Sequence, residues 1–281
     1  MRCCATWLCI LLGIASMQAA FAGTTNEVPS CYAANKLDIK LPLPDRELFV
    51  LVDQTTLFDE KLQNSIFENT WSFLGANSAF TIVAFSAFAQ GRYTDVVASG
   101  MIEPLFPEKE RNSTSQKLLK SFDSCMKSQE PWAKKHAIEA IKRTLVAASA
   151  DLAKSDILAA LKDVSSRIKA SSAKDKVLFM ASDMLENSTV SSFYAGNTKV
   201  RVLDPAKEMS SAERANLIGD FGGARVFVLG AGLIGPAGDS KASYRDPRTM
   251  NALHEFWTKY FEKANARLEQ FGQPALLQPI R

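Results

Sequence analysis

The stretch "ELFVLVDQTT" (Glu47 to Thr56) decides how this chain is read. Leu48 to Val52 are apolar without a break, and the run stops at Asp53, with hydroxyls following at Thr55 and Thr56. A short continuous apolar run marks a strand buried on both faces, as in a parallel sheet covered by helices on either side. In open sheets of that kind ligands bind beyond the carboxyl ends of the strands, which is where Asp53 falls.

Working outward, "AFTIVAFSAF" (79–88) reads as a second buried strand, and the more polar "GRYTDVVASGMI" (91–102) as a third at an edge. "KVLFMASD" (176–183), "TKVRVLD" (198–204) and "RVFVLGAG" (225–232) read as the remaining strands, the last of these closing the series. Between them, Leu62, Ile66, Phe67, Thr70, Phe73 and Leu74 recur at helical spacing before Gly75. Residues 114–170 are helical in period, with Pro131 opening a new helix and a break at Asp151 to Ser155. Residues 247–270 read as one long helix with Leu253, Phe256, Trp257, Tyr260, Phe261, Ala264 and Leu268 on its apolar face. Strands alternating with helices predict an α/β, Rossmann-like three-layer domain over 47–272, a mainly parallel sheet with helices on both faces, and a short tail at 273–281.

The chain has 281 residues, 47% of them hydrophobic, and a net charge of +3, which fits one globular domain and gives no case for nucleic acid. Residues 1–22 read as an export signal: Arg2, the apolar "CCATWLCILLGIASM", then small residues at Ala20 and Ala22. Cleavage there leaves no membrane span and a protein that is periplasmic or secreted. Residues 23–46 are an extended lead-in. Three of the five cysteines leave with the signal, so Cys31 and Cys125 are expected to form a disulfide.

Gly230, Gly232 and Gly235 spell G-x-G-x-x-G, but "PAGDSKASYRDP" (236–247) follows where a dinucleotide site needs a helix. The motif also follows the last strand rather than the first. No nucleotide is expected. His136 and His254 lie on helices as surface or packing residues, and no Ser-His-Asp order, C-x-x-C or H-E-x-x-H is present.

Asp53 and Asp183 end two strands, Thr55 follows the first, and Ser155 opens the helix "KSDILAALKDVSSRIKA" (154–170). Carboxylates and hydroxyls at neighbouring strand tips are the oxygen ligands that a hard cation accepts, Mg²⁺ first, with Mn²⁺ or Ca²⁺ as further candidates. Otherwise each is a turn or helix cap.

In order and spacing, "VDQTT", "KSDILAAL", "ASD" and the final "VFVLGAG" resemble a von Willebrand factor A domain, over about residues 47–270. The resemblance implies a metal-ion-dependent adhesion site, with Asp53, Thr55, Ser155 and Asp183 at its ligand positions. Leu57 stands where that family has a second serine, with Thr56 beside it as a substitute, and Met184 stands where it has a glycine. Leu57 also reads as a core residue at the start of the first helix. Residues 103–150 read as a helical insertion of two helices, the first carrying Cys125, that covers the metal face, presents a partner surface or simply pads the fold.

The resemblance implies an exported binding protein that holds a protein partner at this face through the cation. The competing function is a metal-dependent hydrolase or phosphotransferase using Asp53, although enzymes of that kind place a second acid where Thr55 stands.

Overall fold

The computed structural model describes residues 26–89, 92–148, 155–195, 199–233 and 246–281. In chain order the elements are α1 (Cys31–Ala34), β1 (Arg46–Asp53), α2 (Glu60–Phe73), β2 (Ser78–Ala89), β3 (Arg92–Ile102), α3 (Glu108–Arg111) and α4 (Gln116–Val146). There follow α5 (Ile157–Ala170), β4 (Asp175–Ala181), β5 (Tyr194–Ala195), β6 (Lys199–Val200), α6 (Pro205–Arg214), β7 (Ala224–Leu229), α7 (Pro247–Lys263) and β8 (Ala266–Phe271). The export signal and Gly235 lie outside the described residues.

Six strands form one sheet in the order β3-β2-β1-β4-β7-β8, parallel throughout except for the antiparallel pair β2–β3. β3 is the edge its polar sequence predicts. Successive side chains leave a strand on opposite faces, and β1 shows it. Phe49 and Leu51 pack with α5, α6 and α7 on one face. Leu48, Val50 and Val52 pack with α2 and the second half of α4 on the other. The result is the three-layer α/β sandwich expected from the sequence.

Several elements differ from the sequence reading. Pro131 does not open a helix but sits inside the 31-residue α4. Lys127, whose carbonyl loses its partner to the proline ring, is exposed like Pro131 itself, so water can satisfy that carbonyl. The described part of 103–150 thus holds the four-residue α3 and one long helix. "TKVRVLD" does not join the main sheet. Among its described residues only Lys199–Val200 form a strand, paired with Tyr194–Ala195 in a separate ribbon, and Arg201 breaks the apolar run to pair with Glu208. The last helix stops at Lys263, where Asn265 takes φ 55°. Residues 266–271 then form β8, parallel to β7, so "RVFVLGAG" is not the last strand.

The lead-in is not wholly extended, since it holds the single turn α1. Cys31 in that turn is disulfide-bonded to Cys125 in α4, 94 positions away. Around the bridge, Tyr32, Phe106, Leu119, Phe122 and Met126 form a third apolar cluster, separate from the two faces of the sheet. Its polar anchor is Glu103, almost fully buried, whose carboxylate accepts hydrogen bonds from Ser30 Oγ, Cys31 N–H, Tyr32 N–H and Gln129 Nε2. At the other end of the chain, Ile280 N–H donates to Asn69 Oδ1 on α2 at 2.9 Å, across 211 positions. Among the described residues no helix is long and apolar enough to cross a membrane.

Candidate functional site at the strand tips

Strand parity brings the site together. Val52 pairs with Ala181, so the tips of β1 and β4 are neighbours. Asp53 continues the Phe49–Leu51 side of β1, and Ser182 continues the Leu178–Met180 side of β4, both toward α5. Ser182 Oγ donates to Asp53 Oδ2 at 2.8 Å. Ser155, two residues before α5, reaches the same oxygen with a long 3.4 Å contact. Asp53 Oδ1 accepts from Thr55 N–H at 2.9 Å and from Thr55 Oγ at 2.6 Å. Asp53 is fully buried, and desolvation raises its pKa while the hydroxyl and amide bonds pull it back down.

Asp183 follows on the same tip. Its Oδ1 accepts Leu185 N–H at 2.8 Å, its carbonyl accepts Gly232 N–H at 2.8 Å, and its own N–H donates to Thr56 Oγ at 3.2 Å. Thr56 is buried and its hydroxyl ties the two tips together. Leu57 is only partly buried and precedes α2, whose N-cap is Asp59; Phe58 is the residue that enters the core. The reading of Leu57 as a core residue of the first helix is therefore corrected.

The glycines that follow β7 serve this loop. Gly230 takes φ +105°, and a Cβ there would meet Phe58 Cε1 at 2.7 Å and the Ser182 carbonyl at 2.9 Å. Gly232, at φ 77°, delivers its N–H to Asp183. Met184 shows the same demand in another form. It keeps φ 59°, a left-handed backbone that costs a non-glycine residue about 1–2 kcal/mol. Its side chain is fully buried in the core, a gain of about 1.5–3 kcal/mol that offsets the strain.

Sequence reasoning passed over Glu186. It is fully buried, and its Oε2 accepts Leu158 N–H in the first turn of α5 at 3.0 Å. Burial pushes its carboxyl up to about 8, with Asp156 adding to the shift. Nothing in "DMLENST" (183–189) announces a buried acid, because the residue caps a helix from another segment. The Ser155 position is likewise not the helix cap: Asp156 is, and it makes no side-chain capping bond.

Among the described residues no three His, Cys, Asp or Glu side chains group in a way that holds a metal, so a cation here would draw on hydroxyls as well as carboxylates. The donor set fits a hard cation in kind. Asp53 takes the hydroxyl protons of Thr55 and Ser155, which leaves the lone pairs of those oxygens to face away from it. His136 pairs with Glu27 and stacks on Trp132, and His254 stacks on Phe271, so neither belongs to this site.

No family model matches this chain, and no curated protein matches it. Among solved structures, an aerotolerance-related membrane protein from Bacteroides fragilis is similar at 15% identity and a TM-score of 0.36, over 81% of this chain and 92% of that one. The pilus adhesin SpaC from Lactobacillus rhamnosus is similar at 11% identity and a TM-score of 0.41, over 82% of this chain and 28% of that one. At these scores the likeness carries no argument about function.

Proposed function

We propose that this chain is an exported binding domain of the von Willebrand factor A type, which holds a protein partner on the face formed by the tips of β1 and β4. The observation that carries this reading is the convergence of Asp53, Thr55, Ser155 and Ser182 at adjacent strand tips, with Asp183 on the same rim. A divalent cation, Mg²⁺ or Mn²⁺, is held there weakly by Thr55, Ser155 and Asp183, with Asp53 behind them as the acceptor that orients their hydroxyls. The cation supplies an open coordination position for a carboxylate of the partner. The export signal and the disulfide fit a protein that works outside the reducing cytoplasm.

The hydrolase or phosphotransferase reading is the weaker one. It needs Asp53 open to a substrate, whereas this carboxylate is fully buried and takes hydrogen bonds on both oxygens.

Calorimetric titration with Mn²⁺ tests the cation, and capture of partners by the tagged, exported protein with and without chelator tests its use. Binding that Asp183→Ala abolishes, together with chelator-sensitive capture, is the expected result. Capture that ignores chelator would leave partner binding without the cation, and absence of both would overturn the reading.

A further inference from the structure

The segment from Asp183 to Phe193 buries Met184, Leu185 and Phe193 in the core and meets the start of α5 through Glu186 and Asn187. Asn187 N–H donates to the Ser155 carbonyl at 3.0 Å, and Phe193 N–H closes back on the Glu186 carbonyl at 2.8 Å. Trp257 of α7 reaches the segment with its indole N–H, 2.9 Å from the Met184 carbonyl. At the centre of these ties is Glu186, fully buried, whose Oε2 caps α5 from outside the helix, whereas Asp156 at the N-cap position makes no side-chain capping bond.

The two carboxyl oxygens of Glu186 differ. Oε2 has the Leu158 N–H, whereas Oε1 has no hydrogen-bond partner among the described residues. A neutral carboxyl tolerates that position. A carboxylate does not, because an anionic oxygen removed from water without a donor is costly.

We propose that Glu186 is a proton-operated latch: its neutral form holds residues 183–193 on the first turn of α5, and its ionisation releases them and rearranges the face that carries Asp183. This rests on the reading of that face as the binding face. The titratable groups that bear on the latch are Asp156 at the N-cap of α5, which opposes ionisation, and Tyr260 from α7, whose hydroxyl donates to the Leu217 carbonyl. The carboxyl's preference for its proton up to about pH 8 places the release at mildly alkaline pH.

Trp257 provides the readout, since it is buried and bonded to the segment while Trp71 and Trp132 are exposed. The test follows tryptophan emission and amide exchange of 183–193, corrected for intrinsic exchange, in the isolated protein from about pH 6 to 9.5. The wild type is expected to show a transition near pH 8, with segment protection falling at least tenfold, and Glu186→Gln to show none. A transition that survives Glu186→Gln, or none in the wild type, overturns the latch. Should that variant not fold, Asp156→Asn decides: losing the neighbouring acid must move the midpoint to lower pH, and an unmoved midpoint overturns the proposal. No partner or cation is present in this experiment, so the latch stands or fails separately from the binding function.

Discussion

Asp53 owes its surroundings to its parity along β1, which turns its carboxyl toward α5 rather than toward α2 and α4. The same logic makes Leu57 a usable probe. Because Leu57 is partly exposed and outside the helix, Leu57→Ser should cost less than about 1 kcal/mol of stability. It should tighten Mn²⁺ by about tenfold in calorimetry, since it adds an oxygen ligand for a cation that tolerates few vacancies. A lowered melting temperature with unchanged Mn²⁺ affinity would decide against the cation. Gly230→Ala should be severe for a different reason: overpacking against Phe58 and the Ser182 carbonyl, plus the strained φ, predicts a loss of about 2–4 kcal/mol in urea denaturation. At this scale the strand-tip acids were legible in the sequence, because a polar residue ending an apolar run stands out. The oxygens that hold Asp53 were legible only in part. Ser182 is recognisable once β1 and β4 are known to be adjacent, and adjacency is not written in either strand.

Among the elements, the strands of the central sheet were readable from their unbroken apolar runs, and α2 from its spacing. β8 was not, because "ARLEQF" (266–271) continues the helical period of α7 closely enough to hide the strand. The one local signal is Asn265, a residue that tolerates the left-handed turn ending a helix. Pro131 misled in the opposite sense, since a proline on the wet side of a long helix costs little when its orphaned carbonyl meets water. α4 also does two jobs. Its second half completes a helix layer, and its first half joins α1 in the cluster around the disulfide. Replacing Cys31 and Cys125 together with Ala should therefore lower stability by about 2–4 kcal/mol in thermal unfolding. The loss should appear first as proteolysis within residues 26–45 and the start of α4, while the sheet stays protected. Uniform loss across the sheet would show that the cluster is not a separate unit.

Among the described residues, three carboxyls, Glu47, Asp53 and Glu186, have their pKa raised by desolvation. A raised acid binds its proton more tightly in the folded state. Its stabilising contribution is full below the ordinary value of 4.5 for Glu186 and is lost as pH rises to about 8. Unfolding free energy should accordingly fall between those limits, by at most about 1.4 kcal/mol per pH unit per group, and Glu186→Gln should flatten the slope in urea titrations. The acids lowered by ion pairs or caps, such as Asp45 and Asp246, are exposed and contribute little on the acid side. One further consequence comes from the bond between Ile280 and Asn69. β1, α2 and the hairpin after them leave the ribosome early, yet the layer that α2 belongs to is pinned by a residue made 211 positions later, and β7 gains its outer neighbour only from residues 266–271. Long-range contacts of this kind slow folding, because the loop-closure entropy must be paid before they form. The α2 layer and the outer edge of the sheet are therefore closed by the same late stretch of chain, so neither can reach its final form before the other's last partner exists.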